Sequence, residues 1–229
     1  MSNKLYIIGD VHGCSQTLRG LISTFDELVA DDKIIFIGDL IDRGPDSMSV
    51  LDQILELKDK GIEVIIIRGN HEQMMLDSIN NSKSMKLWFR NGGLATLDSF
   101  GVYHPGFIED KYLEIIYNSK YYYETEKFVI VHAGMNFNIE NPFNDKAKML
   151  AVRIESCDIE KIGNRRLIVG HTPYPLDSIK SSLSSDLIRL DGGCVYHRKV
   201  NGLGYLVALE LNSFELFHYQ NAENIDSLI

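Results

Sequence analysis

Leu5-Tyr6-Ile7-Ile8-Gly9-Asp10-Val11-His12-Gly13 is a short apolar run that breaks at a glycine and delivers two polar side chains. The pattern returns twice. Ile34-Ile35-Phe36-Ile37-Gly38 leads into Asp39, and Val64-Ile65-Ile66-Ile67-Arg68-Gly69 leads into Asn70. Asp10, Asp39 and Asn70 recur every 29 to 31 residues, the length of a strand, a loop and a helix before the next strand. Residues 16–28 carry Leu18, Leu21, Ile22, Phe25 and Leu28 at helical spacing, and residues 48–57 carry Val50, Leu51, Ile54, Leu55 and Leu57 likewise. The strand-like runs are apolar on both faces, as buried parallel strands should be. The spacing predicts βαβαβ, with each polar residue beyond the carboxyl end of a strand, where open α/β sheets bind ligands.

Further runs follow the same grammar. Phe128 to Val131 ends at His132, Leu167 to Val169 at Gly170-His171, and Leu187 to Leu190 at Asp191-Gly192-Gly193. Gly204 to Leu209 and Ser213 to Phe217 read as closing antiparallel strands. Residues from about 73 to 127 break the rhythm: they are Met- and Asn-rich, then aromatic, with Trp88, Gly92-Gly93 and Tyr121-Tyr122-Tyr123. They are expected to form a helical insertion over the site, within one domain spanning residues 1–229.

The 229 residues are 45% hydrophobic and 24% charged, enough apolar material for a sizeable core. A net charge of -9 argues against a general nucleic-acid partner, since counterion release needs clustered Lys and Arg. Cys14, Cys157 and Cys194 are odd in number and form no C-x-x-C pair, which fits reduced thiols. The N-terminus carries no signal-peptide pattern, and no apolar run approaches the roughly 20 residues that span a bilayer. The expectation is a cytoplasmic protein with no membrane partner.

Singly, an Asp after a strand is a turn former or helix cap, and a lone His is a satisfied polar residue. Together, two Asp, three His and one Asn, each following a strand-like run, form a mixed oxygen and nitrogen set that suits Mn, Fe or Zn. Gly9, Gly38, Gly69 and Gly170 each precede a candidate ligand, and a residue without Cβ lets loops close on a common centre. A pair of divalent ions can orient a phosphate and activate a water for in-line attack. The bridging ligand should be a carboxylate, and Asp39 is the candidate. The leaving oxygen needs a proton, for which His71 beside Asn70 is placed, with Asp42 to hold its other ring nitrogen. Arg43 and Arg68 are candidates to fork onto phosphate oxygens, each against the alternative of a structural ion pair.

These motifs resemble the phosphoprotein phosphatase family of calcineurin-like metallophosphoesterases. The matching segments are Gly9-Asp10-Val11-His12-Gly13, Gly38-Asp39-Leu40-Ile41-Asp42-Arg43-Gly44, Gly69-Asn70-His71-Glu72, His132-Ala133-Gly134 and Gly170-His171-Thr172, spanning about three-quarters of the chain. The resemblance implies an α/β fold, a four-layer αββα sandwich of two mixed β-sheets flanked by helices. It implies two divalent metal ions, manganese first, with iron and zinc open. Asp10, His12 and Asp39 would hold one, and Asp39, Asn70, His132 and His171 the other. Asp42 and His71 match the acid pair and Arg43 a phosphate-binding arginine. Arg153 is the candidate for a second, with Arg165 and Arg166 as fallbacks, because Ala151 stands where bacterial relatives carry Trp. Residues 87–96 and the Asp191-Gly192-Gly193-Cys194-Val195 ending resemble short bacterial and phage-type members.

The function expected is a phosphomonoesterase in which a metal-activated hydroxide attacks phosphorus and His71 protonates the leaving group. Its substrate would be a serine/threonine phosphoprotein, and its alternative activity that of a bis(5'-nucleosyl)-tetraphosphatase. A dinucleotide substrate would want extra Lys or Arg round the cleft. Trp88 and the tyrosine cluster are read as core and lid packing, against the alternative of stacking on an adenine. Phosphodiester cleavage and an inactive metal-binding scaffold are the remaining readings, the last disfavoured because every ligand and the acid pair are present. Cys14 is read as a small buried residue at a helix start.

Overall fold

The computed structural model describes residues 3–196 and 202–223. Among these described residues nine strands run in chain order: β1 Leu5–Ile8, β2 Lys33–Phe36, β3 Glu63–Ile66, β4 Tyr122–Glu124, β5 Phe128–Val131, β6 Arg166–Val169, β7 Leu187–Arg189, β8 Tyr205–Glu210 and β9 Glu215–Gln220. Eight α-helices stand between them: α1 Ser15–Ile22, α2 Ser47–Asp59, α3 Asn70–Ser78, α4 Ser82–Arg90, α5 Gly93–Phe100, α6 Asp110–Tyr117, α7 Lys146–Ala151 and α8 Leu176–Ser182.

The strands form two mixed sheets, ordered β3-β2-β1-β8-β9 and β4-β5-β6-β7. β1, β2 and β3 are parallel, while β8 and β9 add antiparallel. In the second sheet β5, β6 and β7 are parallel and β4 pairs antiparallel at the edge. Alternation along each strand divides the apolar residues between two faces. Ile7, Ile35, Ile65 and Val207 of the first sheet meet Phe128, Ile130, Ile168 and Ile188 of the second in one buried layer. Outward from it, Tyr6, Ile8, Ile34 and Phe36 pack on Leu18, Leu21, Leu51 and Ile54 of α1 and α2. On the opposite side, Val129, Val131, Leu167 and Val169 pack on Met135 and Met149. The order helix, sheet, sheet, helix is the αββα sandwich.

Two expectations on local extent are corrected. The helix expected over residues 16–28 stops at Ile22, because the Ser23 and Thr24 hydroxyls donate back to the carbonyls of Gly20 and Leu21. Such side-chain bonds compete with helix continuation. The stretch expected to be helical up to about residue 127 is helical only to Tyr117. Tyr122 to Glu124 pair with β5 as an edge strand, so the tyrosine cluster belongs to the second sheet. Its rings instead lie near cations: Tyr121 near Arg68 and Lys146, Tyr123 near Lys33 and Lys120. Among the described residues no helix is long and apolar enough to cross a membrane.

Candidate active site

Loops from both sheets converge at one edge of the sandwich. The Asp39 carbonyl accepts from the backbone N–H of Val11 (3.1 Å) and His12 (2.8 Å), tying the turn after β1 to the turn after β2. Buried Glu72 ties the second turn to the third: its carboxylate accepts from the N–H groups of Asp39, Leu40 and Gly69, at 2.8, 2.8 and 2.9 Å. In the second sheet, Gly170 donates its N–H to the His132 carbonyl at 2.7 Å, tying the turns after β5 and β6. His12, Asp39, Asp42, Arg43 and His171 all have φ between +49° and +73°, a region L-residues seldom occupy. Such conformations concentrate at sites where the surroundings fix them.

Asp39 lies at the centre. Ligand atoms of His12, Asp39 and His71 lie within 4.8 Å of one another, and so do those of Asp39, His132 and His171. Asp39 is common to both groups. Asp10 belongs to neither; its two oxygens accept from the His171 N–H at 3.2 and 3.0 Å. Asn70 Oδ1 lies 3.1 Å from His132 Nε2. Two of the four glycines that precede ligands, one on each sheet, would push a side chain into a carboxylate of the site. A Cβ on Gly69 would stand 2.1 Å from Asp39 Oδ1, and one on Gly170 2.2 Å from Asp10 Oδ1.

The donor set fits divalent cations. His12 Nδ1 donates to the Ile41 carbonyl (3.0 Å) and His132 Nδ1 to the Ile37 carbonyl (2.8 Å), which turns each Nε2 toward the Asp39 carboxylate. That is the tautomer and orientation a metal-binding imidazole takes when a backbone acceptor holds its other nitrogen. Burial opposes the charge on Asp39, yet the imidazoles of His132, His71 and His12 hold its carboxyl well below the usual range. Burial likewise works against His132 as a cation. The carboxylates of Asp39 and Asp10 outweigh it and raise His132 to about 10. Burial and the His132 charge lower His171 to about 4. The Arg43 guanidinium donates to His12 Nε2 at 2.8 Å.

His71 is fully buried, and its Nδ1 donates to Asp42 Oδ2 at 2.7 Å. Its Nε2 is the one buried side-chain polar atom without a hydrogen-bond partner among the described residues. Asp42 is itself enclosed. Its Oδ2 also accepts from Trp88 Nε1 (2.8 Å), and its Oδ1 from the Thr96 hydroxyl (2.6 Å). Trp88 is therefore not a stacking surface: its ring is wholly inside the protein.

Arg43 and Arg153 line one cleft of about 290 Å³ together with His12, Asp39, His171 and Asp191, and Pro173, Tyr196 and Leu203 form its apolar wall. Arg68, Arg165 and Arg166 are engaged elsewhere. Arg68 donates to Ser119 and to the carbonyls of Ile116 and Tyr117. Arg165 pairs with Glu124, and Arg166 donates to the carbonyls of Leu183 and Ser185. Cys14 is buried at the start of α1.

Reading the sequence did not single out Glu72, Thr96, Asp191 or Tyr196 as site residues. Glu72 left a signal, standing three residues after Gly69 as the third residue of a helix, where a carboxylate bonds back to the backbone. Asp191, pushed up to about 6 by burial against the pull of the Gly193 N–H, follows its own strand as the ligands do.

Residues 4–207 match the sequence profile described as calcineurin-like phosphoesterase. The chain is 39% identical to serine/threonine-protein phosphatase 1 of Salmonella typhimurium over 39% of its length and 38% of that protein's. It is 24% identical to the asymmetrical bis(5'-nucleosyl)-tetraphosphatase of Oceanobacillus iheyensis, over 86% of each chain. With the symmetrical bis(5'-nucleosyl)-tetraphosphatase of Nitrosospira multiformis it shares 33% identity, over 67% of this chain and 50% of that one. The chain thus spans half or less of two of these relatives. Among solved structures, a candidate diadenosine tetraphosphatase superposes with TM-score 0.68 at 18% identity, covering 96% of this chain and 95% of that one. A Saccharomyces cerevisiae protein serine/threonine phosphatase superposes with TM-score 0.65 at 14% identity, covering 98% and 82%. These likenesses bear on the fold.

Proposed function

Because this chain belongs to the calcineurin-like phosphoesterase family, it is a metal-dependent phosphoesterase, and we propose that it removes phosphate from monoesters, with serine/threonine phosphoproteins as the favoured substrates. The observation that carries this reading is the His71 Nε2 atom, buried beside Asp39 without a partner, on a ring whose other nitrogen is held by Asp42. Such an atom is placed to give up a proton to a group arriving in the cleft.

Asp10, His12 and Asp39 would hold one divalent ion and Asp39, Asn70, His132 and His171 the second, with Asp39 between them. When bound, the ions supply positive charge to the phosphoryl oxygens and lower the pKa of water. Arg43 and Arg153 orient the phosphoryl group by forked hydrogen bonds. His71 holds the proton at Nε2 for the departing ester oxygen, and Asp42 keeps the ring turned that way. Manganese is the ion we propose, with iron and zinc as competitors for the same ligands.

The monoester reading is supported by the scale and charge of the cleft. Two arginines match one phosphoryl group, and among the described residues they are the cations that line it. Its apolar wall suits the carbon skeleton of the attached residue. Buried Trp88 is unavailable to an adenine. The second reading, hydrolysis of a dinucleoside tetraphosphate, is favoured by the end-to-end match to an asymmetrical bis(5'-nucleosyl)-tetraphosphatase.

The test is kcat/KM, with manganese present, for a phosphoserine peptide against diadenosine tetraphosphate. Preference for the peptide is expected, and preference for the dinucleotide would replace this reading with the second. Within the reading, His71→Asn is expected to slow phosphoserine turnover on the order of 10²–10⁴-fold. Unchanged turnover would remove His71 as the acid.

A further inference from the structure

We propose that Trp88 and Thr96 are positioning residues for the proton donor: helices α4 and α5 clamp the Asp42 carboxylate that orients His71. The inference rests on His71 acting as the acid, and goes beyond that reading by giving the insertion a part in the chemistry.

A carboxylate held by one imidazole can rotate about its Cβ–Cγ bond and let the ring tilt. Here both oxygens are fixed. Oδ2 is shared by His71 Nδ1 (2.7 Å) and Trp88 Nε1 (2.8 Å), and Oδ1 takes the Thr96 hydroxyl (2.6 Å). Two donors on separate oxygens set the carboxylate plane, and the plane sets the direction of His71 Nε2.

Neither donor comes from the turn that carries Asp42; they lie 46 and 54 residues further along the chain. The insertion also holds that turn's backbone. Thr96 Oγ1 accepts from the Asp42 N–H at 3.0 Å, and the Gly92 carbonyl accepts from the Arg43 N–H at 3.2 Å. These are the positions at φ +73° and +69°, so the turn stays in a rarely populated shape while α5 is docked on it. The glycine pair is cut to this purpose. A Cβ on Gly92 would lie 2.8 Å from Arg43 Cγ, and one on Gly93 2.4 Å from the Trp88 ring.

Removing a donor should loosen His71 without touching substrate, metal ligands or either cleft arginine. The expected signature is a dependence on the leaving group. Thr96→Val and Trp88→Phe should lower kcat on a phosphoserine peptide by about 10–100-fold. The loss on p-nitrophenyl phosphate, whose leaving group departs without a proton, should be much smaller. KM should change little for either substrate, and Thr96→Ser should restore kcat on phosphoserine.

Thermal unfolding of each variant would show whether it is folded, and Thr96→Val, nearly isosteric, decides the matter if Trp88→Phe is not. Equal losses on both substrates, or no loss on either, would reduce the two residues to packing and overturn the proposal. His71→Asn is assayed alongside on the same pair. If it shows the leaving-group dependence and the other variants do not, this proposal alone fails; if it shows none, the acid assignment fails and takes this proposal with it.

Discussion

Three of the four imidazoles near Asp39 are governed by what their second nitrogen touches. His12 and His132 spend Nδ1 on backbone carbonyls, and His71 spends it on Asp42, so three rings of one chemical type turn Nε2 toward a common centre. His132 is also held as a cation up to about pH 10 by Asp39 and Asp10, against the effect of its burial. Coordination needs the neutral ring. A divalent ion held by His132 as proposed would therefore displace a proton over the whole neutral range, and affinity should rise as pH rises. Titration calorimetry of the metal-free protein with manganese, repeated in buffers of different ionisation enthalpy at pH 7, should report net proton release. A heat independent of buffer would contradict the protonated His132. Asp39 and Arg43 stood out at this scale, because they lie in the motif that follows β2, whereas Arg153 was offered by the resemblance alone, beside Arg165 and Arg166. Thr96 was not, since one hydroxyl in a helix carries no mark of the carboxylate it reaches.

Loops, more than helices or strands, are the elements that build the centre, and they are fitted together by absent side chains. The turn after β3 passes so close to the turn after β2 that a methyl group on Gly69 would lie 2.1 Å from Asp39 Oδ1. Gly69→Ala should push the shared carboxylate out of place while leaving both sheets intact. Loss of the second equivalent of bound manganese, with an unchanged far-ultraviolet spectrum, is the outcome to look for by equilibrium dialysis. Full metal occupancy in that variant would show that the loops have slack. The parallel strands were readable from their doubly apolar runs, whereas the edge strand β4 was not. The end of α1 was not, because it depends on which backbone carbonyls the Ser23 and Thr24 hydroxyls find.

In the whole molecule, the first sheet supplies Asp10, His12, Asp39 and Asn70, and the second supplies His132 and His171. Metals bound between them would join the two sheets, and ions that bind only the folded state stabilise it by mass action. Chelation should therefore lower the melting temperature, and restoring manganese should recover it. Equal melting temperatures with and without chelator would mean that the sheets are held by their apolar interface alone. That interface is extensive. Ile168 sits in the middle of it with no exposure, and Ile168→Ala should cost about 2–5 kcal/mol by urea unfolding.

The sequence by itself determined which residues stand behind strands, because the period of about 30 residues and the doubly apolar runs are local properties of the chain. It also determined the chemistry of the ligand set and, through five motifs in order, the family and its layered architecture. Tertiary structure alone decided which groups meet. It enclosed Trp88 against Asp42 and withdrew it from any adenine, and it moved the tyrosines onto an edge strand. It placed Arg153 in the cleft and sent Arg165 and Arg166 elsewhere. The reason is range. Periodicity and turn chemistry act over a few residues, whereas these pairings depend on the packing of segments tens of residues apart, which no local pattern encodes.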